Sequence, residues 1–203
     1  MDYYFENDKT EKIEEVSKTR KSVKEAFEWL DAVIFSIIAI IILFTFVFRI
    51  VGIRGDSMKE TLHEGDRIVI SNIFYTPKQG DIVVISRNYT NENGSKDQND
   101  SPIIKRVIAT EGQTITIDPE NRTVAVDGKV LNEPYVNGQI TNWPEGENVA
   151  KSITVEDNHI FVLGDNRGES LDSRYSVIGQ VDERYILGKA LIRIFPFDSF
   201  GGF

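Results

Sequence analysis

One segment near the start of the chain is apolar on all sides. Residues 32–48 form a run of 17 residues without a charged side chain, bounded by Asp31 and Arg49. As a helix this run is about 26 Å long, close to the ~30 Å hydrocarbon core of a bilayer. A core helix would carry a polar face, and a cleavable signal peptide would be shorter and followed closely by a small-x-small site. The pattern therefore predicts a retained membrane anchor over residues 29–48.

After this segment the pattern changes to short runs that are typical of β-strands. In these runs β-branched and other apolar residues lie between turn residues. The runs lie at residues 66–74, 81–86, 103–110, 114–118, 123–132, 159–166 and 184–195. Within the fifth run, Asp127 and Gly128 separate two apolar stretches, which is a strong hairpin signal. We expect a mainly β fold, with one β-rich domain over residues 49–203 and one N-terminal transmembrane helix.

The charges on either side of the anchor predict its orientation. The nearby cations are Lys18, Arg20, Lys21 and Lys24 before it, and Arg49, Arg54 and Lys59 after it. Cytoplasmic flanks carry an excess of Lys and Arg, so this small bias favours a cytoplasmic N-terminus. We therefore expect residues 1–28 to form a charged, partly helical cytoplasmic tail. The β-rich domain is then extracytoplasmic, in a protein that crosses the cell membrane once.

Composition excludes several kinds of chemistry. With 23 Lys and Arg against 32 Asp and Glu, the formal net charge is −9, which disfavours nucleic acid as a partner. No cysteine is present, so thiol catalysis, disulfides and Cys-type zinc sites are excluded. The two histidines, His63 and His159, lie in a predicted turn and at the start of a predicted strand, which does not favour a Ser-His-Asp hydrolase. We expect no metal ion and no other cofactor.

A serine follows the anchor closely. The sequence GDSM occupies residues 55–58, and eight residues, 49–56, separate Ser57 from the end of the apolar run. Fully extended, these residues reach at most about 27 Å. By itself such a serine is most simply a turn residue, but this one is tethered to the membrane surface.

A lysine lies within the predicted strand 103–110. Strand alternation places Lys105 and Arg106 on opposite faces, so at least one of these cations shares a face with apolar residues. If the strand is at a sheet edge, the lysine extends to water and has no special role. If the lysine is buried, keeping it neutral near pH 8 costs roughly 3 kcal/mol, and a neutral amine can take the proton of a serine hydroxyl.

A dense polar segment follows the predicted strand at 159–163. Residues 164–175 read GDNRGESLDSRY and combine two aspartates with two arginines. Carboxylate–guanidinium pairs are bidentate and can fix the shape of a loop. An elaborate turn is the alternative interpretation.

Taken together, the anchor, GDSM just beyond it, Lys-Arg-Val within a strand and the 164–174 segment resemble a bacterial type I signal peptidase of the Gram-positive-type, single-span subgroup. The resemblance covers residues 32–193 and implies a membrane-bound serine endopeptidase that removes signal peptides from exported preproteins. It implies that Ser57 is the nucleophile and Lys105 the general base, with the Ser57 N–H as an oxyanion-hole donor. The supporting residues that it implies are Ser170, hydrogen-bonded to the lysine amine, Asp172 and Arg174, bracing the loop, and Asp165, paired with Arg106.

The same resemblance implies how substrate binds. The signal peptide would lie extended beside the segment that leads into Ser57, as an added strand. The shallow pockets for its small side chains would be lined by Ile53, Met58, Leu62 and Ile103. Preprotein signal peptides and the lipid bilayer are thus the expected partners.

The sequence departs from the family pattern at two positions near the serine. Glu60 stands where the family commonly has proline, which affects loop rigidity. Gly55 stands where some members have a hydroxyl residue that serves as a second oxyanion donor.

Two further interpretations share this fold. A non-catalytic, membrane-anchored assembly factor would typically lack the serine or the lysine, and both are present here. A self-cleaving repressor of the SOS type would have a helix-turn-helix where this chain has a charged tail and a membrane span.

Overall fold

The structure is a computed structural model that describes residues 3–87, 101–136, 141–144 and 150–203. It divides into two compact units, Met1–Phe46 and Val47–Phe203. The first unit is helical and the second is built on β-strands, and each is described by itself below.

The N-terminal unit is one long helix. Helix α1 covers Tyr3–Val47, so the charged tail continues the helix of the apolar run instead of being only partly helical. Its stretch Arg20–Thr45 is long and apolar enough to cross a membrane. Every side chain described between residues 20 and 45 is exposed. A buried core helix, one alternative for this segment, is therefore wrong.

The second unit contains two antiparallel sheets. Its strands are β1 Arg49–Gly52, β2 Arg67–Ser71, β3 Ile82–Ile85, β4 Ile103–Thr110, β5 Thr114–Asp118, β6 Thr123–Val126, β7 Lys129–Val130, β8 Lys151–Thr154, β9 His159–Leu163, β10 Val181–Asp182 and β11 Ile186–Phe195. A seven-stranded sheet has the order β1-β2-β11-β3-β4-β9-β10, and a four-stranded sheet the order β7-β6-β5-β8. The mainly β fold predicted from the sequence is confirmed.

Most predicted strands are present, and the differences are local. The β6–β7 hairpin turns at Asp127 and Gly128, with φ of 51° and 76°, as a type I′ turn requires. Strands β1, β8 and β10 were not predicted, because each has at most four residues and β1 and β8 are largely exposed. In β4 a register shift between Val107 and Ala109 ends the simple alternation that the sequence suggested.

The interior strand β4 connects the cores of the unit. Ile104 packs in one apolar cluster with Ile53 and Met58. Beyond the register shift, Ile108 and Ala109 both pack in a second cluster with residues of the four-stranded sheet. Because β4 lies between β3 and β9, six of its eight residues are buried.

Candidate active site

Ser57 lies in the loop that joins β1 to β2. The buried side chains of Met58 and Leu62, 1% and 0% exposed, fix this loop to the apolar core. The backbone N–H of Ile53 also donates to the carbonyl of Asp66 at 2.8 Å, which closes the base of the loop. Ser57 itself is half-buried, so its hydroxyl is held in place and still accessible.

The interior position of β4 brings Lys105 to this serine. The Lys105 side chain is 3% exposed, and its Nζ donates to Ser57 Oγ at 2.8 Å and to the Ile104 carbonyl at 3.0 Å. The alternative in which an edge strand lets the lysine reach water is therefore wrong. Two residues 48 positions apart in the sequence form a serine–amine pair.

The surroundings of Lys105 favour its neutral form. Burial lowers the pKa of its amine from 10.5 to about 8, because a charged group loses its hydration there. The carboxylates of Asp172 and Asp165 act to raise this pKa, while the guanidinium groups of Arg87 and Arg174 act to lower it. Within the described residues no carboxylate forms an ion pair with Lys105, so burial prevails.

On the opposite face of β4, Arg106 is fully paired. Its guanidinium donates to both carboxylate oxygens of Asp165, at 2.8 and 2.7 Å, and to the Gly80 carbonyl at 2.8 Å. It also lies over the ring of Tyr135, 3.9 Å from the centroid. Thr61, from the Ser57 loop, donates to the same Asp165 carboxylate. The family resemblance implied the pairing of Asp165 with Arg106, and the Thr61 contact ties the loop to the segment after β9.

That segment, residues 164–174, is held by a second buried pair. Arg174 donates to both oxygens of Asp172, at 2.8 and 2.9 Å, and to the carbonyl of Arg167 at 2.8 Å. Asp172 also accepts the backbone N–H of Gly164 at 3.1 Å. Asp172 and Arg174 are 0% and 8% exposed. The carboxylate and guanidinium thus fix the turn by satisfying its backbone groups.

Ser170 is buried in this segment, but its expected contact is not formed. Its Oγ is buried and has no hydrogen-bond partner among the residues that the structure describes. It packs so closely against Gly164 that a Cβ there would collide with Ser170 Oγ and approach the Ser57 carbonyl oxygen to 2.5 Å. A hydrogen bond from Ser170 to the lysine amine would need this hydroxyl to move, and it stays a prediction.

A cleft of about 370 Å³ opens beside the serine–lysine pair. Its lining includes Ser57, Lys105, Val51, Ile53, Met58 and Ile103. The expectation that Leu62 lines this cleft is wrong, because Leu62 is 0% exposed and packs in the apolar core. It supports the loop from behind.

The two departures from the family pattern have a common conformational basis. Gly55 and Glu60 both have positive φ, 77° and 83°. Glycine adopts this conformation readily, whereas proline, with φ fixed near −65°, is excluded from it. The absence of proline at position 60 thus agrees with the backbone of this loop.

Other residues in the segment after β9 escaped the sequence reasoning. Asn166 donates to the backbone carbonyls of both Asp56 and Ser57. Arg167, 2% exposed, pairs with Glu133. The density of polar residues at 164–175 was the available signal, but it did not show which carbonyls these side chains would reach.

His63 is exposed, and the His159 ring contacts the carbonyl of Asp157.

Comparisons with known proteins show the family of this chain. The family model described as "Signal peptidase, peptidase S26" matches residues 26–195. Signal peptidase I of Bacillus licheniformis is 31% identical over 92% of this chain and 96% of its own length. Signal peptidase IB of Staphylococcus aureus is 31% identical over 87% of this chain and 93% of its own length. A crystal structure of a signal peptidase I from Enterococcus faecalis V583 is similar at 27% identity, over 57% of this chain and 97% of that chain, with a TM-score of 0.43. The family model and the two relatives at 31% identity show that the chain belongs to the signal peptidase family, peptidase S26, and is a serine endopeptidase.

Proposed function

We propose that this protein cleaves signal peptides with a Ser57–Lys105 dyad. The observation that carries the proposal is the 2.8 Å contact between Lys105 Nζ and Ser57 Oγ, in a site where burial keeps the amine pKa near 8. A neutral amine has a lone pair that can accept the hydroxyl proton, so lysine takes the place that histidine holds in a Ser-His-Asp triad. The contact at Ile104 fixes the direction of the amine.

The proposed reaction has two steps, acylation of Ser57 and hydrolysis of the resulting ester. Ser57 Oγ attacks the scissile carbonyl carbon while its proton passes to Lys105 Nζ. The tetrahedral intermediate collapses to an ester on Ser57, and Lys105 returns the proton to the departing amine, which becomes the N-terminus of the mature protein. Water then attacks the ester with Lys105 again as base, releasing the signal peptide as a carboxylate and restoring Ser57.

The buried pairs around the dyad serve as its frame. Asp165, paired with Arg106, also accepts a hydrogen bond from Thr61 of the Ser57 loop. Asp172 with Arg174 fixes the segment after β9 from within. Such supporting contacts keep reacting groups within the narrow geometry that catalysis needs. Ser170 lies in the same frame, next to Gly164.

We place the substrate in the cleft as an extended strand. Strand β1 lies at an edge of the seven-stranded sheet, so its free backbone groups can pair with a peptide. Ile53, Met58 and Ile103 line the same cleft. An apolar, shallow lining suits small side chains and rejects large ones, and the cleavage region of a preprotein must be unfolded to enter.

The topology is part of the proposal. Residues 29–48 anchor the protein in the bilayer, residues 1–28 stay in the cytoplasm, and residues 49–203 act outside it on preproteins at the membrane surface. The chain has no cysteine, so single cysteines report on topology without background. In intact spheroplasts we expect an impermeant maleimide to label a Lys129→Cys variant and not a Lys21→Cys variant. The reverse labelling would contradict this orientation.

Cleavage of a preprotein by the purified full chain tests the catalytic part. The protein in detergent or vesicles is mixed with a preprotein, and the size of the product and its new N-terminus are determined. We expect Ser57→Ala to abolish cleavage and to keep its thermal transition, while Ser176→Ala, at an exposed turn position, behaves like the unaltered protein. Cleavage retained in Ser57→Ala would exclude Ser57 as the nucleophile.

A further inference from the structure

Asn166 holds the loop that carries Ser57 by two successive carbonyl groups. Its backbone N–H donates to the Ser57 carbonyl at 3.0 Å, and its side-chain Nδ2 donates to the Asp56 carbonyl, also at 3.0 Å. Asn166 is 5% exposed, so water does not compete freely for these bonds. Both carbonyls therefore point toward Asn166.

The bond to Asp56 has a consequence for the next N–H. The Asp56 carbonyl and the Ser57 N–H belong to the same peptide unit, which is planar and trans, so the two groups point in opposite directions. Fixing the carbonyl toward Asn166 fixes the N–H away from it. Within the described part of the chain the Ser57 N–H donates to no acceptor, so it is available to a ligand.

We infer that Asn166 is a positioning residue for the oxyanion hole, acting through the Asp56–Ser57 peptide. The inference rests on the proposed function and on the role that the family resemblance implies for the Ser57 N–H, which is to donate to the oxygen that gains negative charge during attack. Such a donor is effective only when it is oriented before the charge develops. A hydrogen bond at the carbonyl end also polarises the peptide and strengthens its N–H as a donor.

Asn166 is itself held firmly. Asp165, its neighbour, receives the bidentate contact of Arg106, and Gly164 is fixed through its N–H to Asp172. The Asn166 Oδ1 is buried and has no partner in the described residues. The side chain is thus bonded only through its amide nitrogen, to Asp56 and, at 3.3 Å, to Glu169.

This bonding makes the choice of substitution informative. Asn166→Ala removes the side-chain donor and keeps the backbone bond to Ser57. Asn166→Asp keeps the shape and replaces the donor by an oxygen that repels the Asp56 carbonyl. The matched control is Asn72→Ala, which also removes an amide nitrogen bonded to a backbone carbonyl, that of Ile186, away from the serine.

The experiment measures peptide cleavage and the binding of a peptide boronic acid by the full-length protein. The boron accepts the Ser57 oxygen, whose proton passes to Lys105, and the resulting tetrahedral adduct depends on the oxyanion hole as the transition state does. For Asn166→Ala we expect kcat to fall about 10- to 100-fold, with KM changed by less than about 3-fold. We expect boronate affinity to fall by the same factor as kcat/KM, an equal or larger loss for Asn166→Asp, and no change for Asn72→Ala.

A purely structural role would disturb the serine–lysine pair as well and shift the pH at which cleavage is half-maximal. Under the inference this pH should be the same in Asn166→Ala as in the unaltered protein, since the Lys105 amine is not touched. If Asn166→Ala does not fold, the equally shaped Asn166→Asp provides the test, with thermal melting to show that it is folded. Unchanged kcat, a loss confined to KM, or boronate affinity that stays constant while kcat falls would each overturn the inference. Failure of the unaltered protein to cleave would instead contradict the proposed function and the inference with it.

Discussion

Strand β4 places two consecutive cations on opposite faces, and their surroundings differ. Arg106 has both carboxylate oxygens of Asp165, a backbone carbonyl and an aromatic ring as partners. Lys105 is also buried, but among the residues that the structure describes its amine contacts a hydroxyl and a carbonyl oxygen and no carboxylate. Arg106 is thus neutralised by a carboxylate, whereas Lys105 has no carboxylate partner in the described part of the chain.

The difference follows from the chemistry of the two side chains. A guanidinium stays charged at every pH relevant to proteins, so burying it requires a carboxylate. An amine can release its proton, and burial without a carboxylate makes this release easier. We therefore expect changes on the Lys105 face to affect mainly activity, and changes on the Arg106 face to affect mainly stability.

Lys105→Met gives the largest expected effect. It removes the proposed base and fills its space with an apolar side chain, so cleavage should fall by at least about 10³-fold. The free energy of unfolding should stay the same or increase, because a buried amine without a carboxylate is replaced by a group that needs no hydration. Peptide cleavage and urea denaturation measure the two quantities.

The control for this change is Lys129→Met, at an exposed position of β7. It should alter neither quantity. If Lys105→Met retained cleavage, lysine would not be the base. If it lost several kcal/mol of stability, the contrast between the two faces would be incorrect.

Arg106→Met tests the other face. It leaves the Asp165 carboxylate, 1% exposed, without its guanidinium, which typically costs about 3–5 kcal/mol of stability. Urea denaturation gives the change in the free energy of unfolding. Adding Asp165→Asn to Arg106→Met should recover part of this loss, since no buried charge is then left unpaired.

The pH dependence sharpens the contrast. Because the pKa of Lys105 lies near 8, cleavage should increase with pH and be half-maximal near pH 8. The unfolded chain keeps this proton up to pH 10.5 and the folded protein does not, so from this group the free energy of unfolding rises between pH 8 and 10.5, by about 3 kcal/mol.

Lys105→Met should lose that rise, and denaturation of both proteins across the pH range isolates it. A cleavage rate that stays constant down to pH 5 would rule out a lysine base. The folded Arg106→Gln variant should keep a cleavage rate that depends sigmoidally on pH.

Glu60 gives the smallest expected effect, and in the sequence it lies between two residues that contact the two faces. It follows Ser57, which contacts Lys105, and precedes Thr61, which contacts Asp165. Its φ of 83° is unfavourable for a residue with a side chain, so Glu60→Gly should stabilise the protein by about 0.5–1 kcal/mol.

Glu60→Pro, which restores the usual residue of the family, should destabilise the protein because proline cannot adopt this φ. Thermal unfolding compares the two variants. A stabilising proline would show that the loop has another backbone conformation. If either substitution changed the cleavage rate without changing stability, the backbone conformation of residue 60 would act mainly on the Lys105 face.

Local features of the fold could be predicted from the sequence because short stretches of chain determine them. The apolar run at 32–48 favours a helix of membrane length, and Asp127 with Gly128 favours a tight turn between two strands. Strand β4 was predicted with the bounds that the structure has. The partnership of Ser57 with Lys105 was implied by family resemblance, since nothing in either local pattern points to the other.

Tertiary structure decided what depends on distant neighbours. Strand order places β4 in the interior, and only there does Lys105 lose its water. The register shift after Val107 depends on pairing with β9, and the burial of Leu62 on the apolar core around it, neither of which the local sequence specifies. The carbonyls that Asn166 reaches belong to a loop about 110 residues earlier. The sequence thus specifies the side-chain chemistry. The packing of segments that are far apart along the chain decides which side chains lose their hydration and which groups they bond to.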